Sequence, residues 1–582
     1  MGTRLVAAAV AICLATPALA NPPHELGDYE RAALATALAK LELTLDPEPA
    51  GKRVRAIHVV NLDVFGEEEG AFLRWFNIFH RTTREDVIER EVLLRPGQVW
   101  DEEVIEDNRR RMNDQLFTNL VVFAPIATGE EGTVDLLVVT RDIWSLRMNS
   151  NIEIQEGKIT ELLLSISENN LLGWRKQLAV VFDMDLGSYS LGPLYVDKNV
   201  AGTRLQLSSR LRALFSRETS DFEGTASNTN FVYPLWSLKR KWGASLSFAH
   251  FDGVQRAFFG VDVAEFPLDA MPGDETIDQV WDRRIAEVDA AVTRSFGYRV
   301  IQRVSLGYEL RSDESSLPDD VAASPALIER FEDEVLPRSE LTSALTSAYS
   351  LFTPRYTRYR NIDTYDLPED ATLGPSVAAA LGYAHEALGS DATFLQPGLS
   401  AGYTQDLAGE GFVRVAAGAA TRIQDGDFID NTVSASVRLV APPAFNAFRV
   451  IAVTSASARF EEQANRRFVL GGANGLRGYP INFFSTRQGD DNHRSLRANV
   501  EVRSLPLRIL FSRAGVLAFW DAGGLSSSYR DLPLYHDVGI GLRLLLPQLQ
   551  PYVFRLDWAI PLNGPLSGVE NSRIIFGSRQ AF

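Results

Sequence analysis

From residue 147 to residue 582 the chain returns again and again to one pattern, runs of about ten residues in which apolar side chains alternate with polar or small ones. Gly, Asn and Asp separate the runs. An extended backbone sends successive side chains to opposite faces, so each run reads as a strand with one apolar and one polar face. In 552–560, Tyr552, Phe554, Leu556, Trp558 and Ile560 oppose Arg555 and Asp557. In 241–248, Trp242, Ala244, Leu246 and Phe248 oppose Lys241, Gly243, Ser245 and Ser247, and in 538–544 Gly539, Gly541 and Arg543 share the polar face. A soluble β-sandwich also alternates, but its strands usually run shorter. Length and export together favour strands with one face on lipid and the other on water.

Residues 1–20 combine the basic Arg4, an apolar run over 5–14 and the small-residue end Ala18-Leu19-Ala20, the pattern of a secretory signal peptide. Ile12 before the single cysteine, Cys13, argues against a lipoprotein site, and cleavage leaves a mature chain without disulfides or thiol chemistry. No stretch of about eighteen apolar residues follows, so membrane crossing falls to strands. The net charge of −17, which loss of Arg4 takes to −18, speaks against nucleic acid as a partner. None of the seven histidines lies in H-E-x-x-H and no G-x-S-x-G occurs, so the expectation is no enzyme, no metal and no cofactor.

Residues 21–52 hold one helical run, 29–43, bracketed by prolines; it reads as a linker helix into the next domain or, less simply, as a segment that visits a pore. Residues 53–146 read as one small α+β domain: a strand over 54–61, helices over 84–94 and 102–116, then strands over 120–126 and 134–140. Thr83 and Asp101 are the candidate helix caps, and Pro96-Gly97 stops the first helix. The insert 62–80, with Phe72, Trp75, Phe76 and Phe79, is either a second hydrophobic layer of this domain or a docking segment.

Within the alternating region one stretch departs from strand and helix alike. In 467–480, four glycines, Gly471, Gly472, Gly475 and Gly478, surround Leu476, Arg477 and Tyr479. Glycine at this density permits tight turns and close packing, so the arginine sits on a compact loop able to enter a confined space. A guanidinium inside a barrel needs acceptors. Alternation supplies two on the inward face of the following strands: Glu501, between the outward Val500 and Val502, and Asp521, next to the outward Trp520.

This loop, followed by Glu501 and by Phe519-Trp520-Asp521-Ala522-Gly523, resembles the arginine-glycine-aromatic loop and aspartate motif of the BamA-type outer-membrane assembly and translocation barrels, the bacterial surface antigen family. Leu93-Leu94-Arg95-Pro96-Gly97 with Asn108-Arg109-Arg110-Arg111 is similar to the POTRA domain that precedes those barrels. The resemblance implies a mainly β protein: a transmembrane antiparallel β-barrel of about sixteen strands over 147–582, preceded by one POTRA-like periplasmic domain. It implies that Glu501 and Asp521 hold Arg477. It also implies a weak seam between first and last strands, here 160–167 and 573–582, and an assembly signal in Ile574, Phe576 and the terminal Phe582.

Gln580 and Ser578 are placed on the same face as Phe576. The implied function is insertion of unfolded client polypeptides into the outer membrane of a Gram-negative bacterium, or their transfer across it, with membrane lipid and periplasmic chaperones as further partners. A POTRA domain can also offer a sheet edge to an extended client. A lipid-handling barrel or a passive pore is the alternative.

Overall fold

The structure, a computed structural model, describes residue 26 and residues 28–581 apart from 65–74, 76–80, 114–116, 156, 269, 272, 366–367, 474, 487–491, 511, 547–552, 565, 567 and 579. The signal-peptide reading of 1–20, Phe582 and most of the insert 62–80 therefore lie outside the described residues; of the insert's four aromatic side chains only Trp75 is described, and it is exposed.

The N-terminal region is an α/β layer structure. Helix α1 (Asp28–Leu41) precedes β1 (Arg53–Leu62), α2 (Glu85–Glu91), α3 (Glu102–Met112), β2 (Thr118–Ala127) and β3 (Thr133–Asp142). The sheet order is β1-β3-β2, with β1 parallel and β2 antiparallel to the central β3. β3 lies between two layers and reads almost continuously apolar, Leu136, Leu137, Val138 and Val139 being buried to 0%. Ile88, Val92, Ile105 and Met112 pack on one face of the sheet. Ala33, Leu34 and Ala37 of α1 cover the other, against Val60, Val122, Ile126 and Leu137. The N-terminal helix is therefore part of this core and not a bare linker.

Asp101 caps α3, accepting from the N–H groups of Glu103 and Val104. Thr83 does not cap α2: the residue before that helix is Arg84, with no side-chain cap bond, and Thr83 instead donates from N and Oγ1 to Asp142 at 2.6 and 2.9 Å.

The remainder is a closed antiparallel barrel of 20 strands, not the sixteen implied by resemblance. They are β4 (Leu146–Gln155), β5 (Lys158–Glu168), β6 (Lys176–Met184), β7 (Ser188–Asp197), β8 (Gln206–Ser216), β9 (Phe222–Tyr233), β10 (Trp242–Arg256), β11 (Val280–Phe296), β12 (Ile301–Ser316) and β13 (Glu340–Phe352, continued by Arg355–Arg360). Then follow β14 (Pro368–Ala384), β15 (Phe394–Leu407), β16 (Gly411–Gln424), β17 (Asp427–Val440), β18 (Phe448–Phe460), β19 (His493–Ser504, continued by Leu507–Ile509), β20 (Ser512–Ser526), β21 (Tyr535–Leu545), β22 (Phe554–Pro561) and β23 (Arg573–Ser578). The excess arises partly at the first strand. The barrel begins at β4, one strand before the segment 160–167 assigned to the seam, because Arg147, Asn149, Asn151 and Glu153 give β4 a polar texture despite the outward Met148 and Ile154. Between 254 and 360 alternation is also diluted, since β11 and β12 carry acidic and basic residues along lengths of 17 and 16 residues. Within them, Asp313 of β12 closes a cross-strand ion pair with Arg283 of β11 at 2.8 Å.

The N-terminal region sits against one rim. Asn170 Nδ2 donates to Arg81 O at 2.8 Å, Arg175 to Thr118 Oγ1 at 2.9 Å, and the Leu238 N–H to Asp107 at 2.9 Å. Arg84 stacks on Trp174 at 4.3 Å, and Arg110 on Tyr356 at 4.4 Å. Antiparallel alternation of the strands then places the 461–492 connection at the opposite rim.

Inside the N-terminal sheet, Asp135 is 2% exposed and accepts from Arg55 at 3.0 and 2.7 Å, from the Ala56 N–H at 3.1 Å and from His58 at 3.0 Å. Burial opposes its charge, yet the bonds from Arg55 and His58 outweigh that and hold the carboxyl below its ordinary value. A depressed carboxylate adds stability that is fully present above the ordinary aspartate value, about 3.9, and is lost as pH falls through the lower folded value. Hydrogen exchange of β1 and β3 in the full chain should accelerate over that acid window, and Asp135→Asn should raise exchange at neutral pH while flattening the dependence.

Candidate functional site

The 461–492 connection folds back into the barrel. A two-residue hairpin, Val469–Leu470 with Phe484–Ser485, forms its neck, and the turn beyond it closes through Gly472 N–H to Tyr479 O at 2.9 Å. Gly471 has φ +129°, and a Cβ there would run into Pro480 O, so no other residue fits. At Gly478 the need is space: an added Cβ would stand 2.6 Å from Asp537 Cβ and 3.0 Å from Pro561 N. Leu476 and Tyr479, both 0% exposed, pack with Leu470 against Phe484 and Tyr535, and Tyr479 OH donates to His536 O at 3.0 Å. Apolar packing thus fixes the loop on either side of Arg477.

Arg477 is 2% exposed. Its Nε and Nη2 donate to the two oxygens of Asp521 at 2.7 and 2.9 Å, the fork-to-fork geometry of paired guanidinium and carboxylate. Nη1 donates to Glu501 Oε1 at 2.6 Å and to Asp557 Oδ2 at 3.3 Å. The guanidinium lies over the Phe519 ring, 3.5 Å from its centroid. Glu501, Asp521 and Asp557 are each 0% exposed, so three buried carboxylates converge on one cation. Two more arginines balance them: Arg503 Nε donates to Glu501 at 2.6 Å, and Arg543 Nη1 to Asp557 at 2.6 Å. Asn499 bridges Asp521 Oδ1 and the Gly475 carbonyl, at 2.8 and 2.9 Å.

The walls are built to leave room for this cluster. β19, β20, β21 and β22 are consecutive neighbours, with Asn499 opposite Asp521 and Asp557 opposite Gly541. A Cβ at Gly539 would collide with the Phe519 ring, and one at Gly541 with the Asp557 carboxylate. The outward face of the same strands carries Trp520, Ile540, Leu542, Leu556 and Trp558, all exposed as lipid-facing side chains are.

The structure brings together Arg477, Glu501 and Asp521, with Gly471, Gly472, Leu476, Gly478 and Tyr479 forming the turn that carries the arginine. Asp557, Phe519 and Arg543 were not singled out from sequence as its partners. Alternation does put Asp557 and Arg543 on the polar face, but only the strand register shows which arginine each carboxylate meets. Ile574 points outward at 64% exposure, and Phe576 pairs with Ile154 of the first strand. Gln580 does not share that outward face. β23 ends at Ser578, so the alternation stops, and Gln580 Oε1 instead accepts from Arg543 Nε at 3.0 Å.

Removing one partner from a buried ion pair costs about 3 to 5 kcal/mol, because the other charge stays buried. Arg477→Ala should therefore lose about that much in urea unfolding of the lipid-embedded barrel. Arg477→Lys should lose a measurable part, since an ammonium cannot reproduce the paired bonds to Asp521, and both variants should make 461–492 accessible to protease.

No curated protein matches the chain. Among solved structures, BamA from Haemophilus ducreyi, in a form lacking POTRA domains 1-3, aligns over 91% of this chain and 85% of its own at 13% identity and TM-score 0.37. CdiB from Acinetobacter baumannii aligns over 99% and 96% at 9% identity and TM-score 0.38. CdiB from Escherichia coli aligns over 95% and 84% at 12% identity and TM-score 0.41. The family model described as the Omp85 superfamily domain matches residues 215–582, more than half of the chain and the part that contains the loop and all its carboxylate partners. The chain belongs to the Omp85 superfamily of BamA-type barrels.

Proposed function

We propose that this barrel moves unfolded client polypeptides into, or across, the outer membrane of a Gram-negative bacterium. In this reading the N-terminal βααββ unit is a POTRA domain in the periplasm that receives the client, the barrel is embedded in outer-membrane lipid, and periplasmic chaperones are a further partner of the protein. Superfamily membership supports an outer-membrane, protein-transporting barrel and a non-catalytic role. The observation that carries the reading further is the join between β23 and β4. Every other neighbouring pair in the barrel shares a longer ladder, whereas among the described residues these two strands share one residue pair, Phe576 with Ile154. A strand edge so little used leaves backbone donors and acceptors for a client strand.

The sheet of the N-terminal unit has β1 and β2 as its edges, and the Pro125–Ala127 end of β2 is already paired with Thr44 and Asp46 of the same chain. Client addition at β2 would have to use the rest of that edge or displace this segment.

Depletion of the protein, followed by quantitative proteomics of outer membrane and medium, tests the function directly. Loss of one or a few exported proteins identifies a dedicated translocator, and broad loss of barrel proteins a general insertase; an Arg477→Ala strain should share the profile. An unchanged exported proteome would sink the proposal.

A second test addresses the join. Cysteines at Ile154 and Phe576, opposite each other in the ladder, lie within disulfide reach of a β pair. Oxidation should abolish transport and leave the barrel folded; continued transport would mean that clients do not use this edge.

A further inference from the structure

The join between the last and first strands is thin in its backbone, but the lumen side holds a second connection. β22 and β23 are paired so that Arg555 lies directly opposite Gly577. On the far side of β23, Phe576 pairs with Ile154, which brings Glu153, the preceding residue, level with Gly577. The three positions form one row across β22, β23 and β4. Along that row the Arg555 side chain passes over the glycine and its Nη2 meets Glu153 Oε1 at 3.4 Å, with the two side chains only 8% and 12% exposed.

Two local features fit this path. A Cβ at residue 577 would stand 3.0 Å from Arg555 Nε and 3.4 Å from Nη2, so glycine keeps the way clear. Beside it, Glu153 lies opposite Glu161 and Ile154 opposite Ile159, so β5 carries one extra residue, Thr160, and the β4–β5 ladder is interrupted next to the residue that receives the arginine.

We infer that the Arg555–Glu153 pair, laid over Gly577, is a side-chain clasp that holds the barrel shut across the strand join. The inference rests on the proposed use of this join by clients and adds to it what keeps the join closed at rest. The clasp is also tied to the loop arginine. Arg555 and Asp557 occupy the same lumenal face of β22 two residues apart, and Asp557 accepts from both Arg477 and Arg543. Arg543 in turn holds Gln580, beyond the end of β23. Loop, clasp and Gln580 thus converge on two neighbouring strands, β21 and β22.

Hydrogen exchange of the purified full-length protein in lipid nanodiscs, with no client present, reads the clasp. Glu153→Gln and Arg555→Gln should each speed exchange over 146–155 and 573–578 roughly tenfold, with β10 to β12 unchanged. The double reversal Glu153→Arg/Arg555→Glu should return protection to within about twofold of the parent. Wild-type exchange in both single variants, or no recovery in the reversal, overturns the clasp. Should the charge variants fail to fold, Gly577→Val places a branched side chain in the arginine's path; raised exchange at the same two strands supports the clasp and unchanged exchange refutes it. Because no client takes part, the result stands apart from transport: altered exchange in these variants, together with transport that continues when the join is locked by the 154–576 disulfide, would overturn the proposed use of the join while leaving the clasp in place.

Discussion

Everything at the centre of this barrel depends on one guanidinium that has left water. An arginine 2% exposed is tolerable only if all its donors are answered, and Arg477 meets carboxylates from three different strands. Each of those carboxylates is itself fully buried and would be costly without the arginine. The dependence is mutual. The loop cannot withdraw without stranding Glu501, Asp521 and Asp557, and the strands cannot shift register without stranding Arg477. The cluster therefore specifies one loop position and one alignment of β19, β20 and β22 together, a role in which buried charge contributes specificity more surely than stability.

Glycine shapes the space that charge then fills. Gly539 and Gly541 on β21 flatten the wall so that the Phe519 ring and the Asp557 carboxylate come in close, and Gly478 lets the loop backbone approach Asp537. The same economy appears at the strand join, where Gly577 gives Arg555 its path to Glu153. For the three strand glycines the missing Cβ lies on the lumenal face, while the lipid-facing positions of the same strands carry Ile and Leu. Small residues inside and bulky ones outside reverse the habit of a soluble core, because this protein's solvent on the outer face is hydrocarbon.

Much of this was legible in the residues. Alternation in 538–544 and 552–560 marks the lumenal and lipid faces, and it is enough to aim Glu501 and Asp521 inward. The strand number was not legible. β4 has too many polar side chains to look like a membrane strand, and β11 and β12 carry charged residues along unusually long runs. What failed elsewhere was whatever depends on where an element stops or what it packs against. Gln580 turns inward because β23 ends two residues earlier, and α1 joins the N-terminal core through two alanines and a leucine whose spacing alone names no partner. Asp557 was visible as a polar-face residue, but a face is not a contact.

The distances in sequence between these contacts bear on how such a barrel is made. Arg477 finds Glu501 24 residues away, Asp521 44 and Asp557 80, whereas Glu153 and Arg555 are 402 residues apart. Closing the longer loop costs roughly 2 kcal/mol more chain entropy than the link to Asp521, and nothing rewards it until almost every intervening strand is in place. The C-terminal third can thus knit itself around its own arginine as a self-checking unit while the N-terminal strands are still being laid down. The ring closes last, at the place where the finished protein is most thinly sewn.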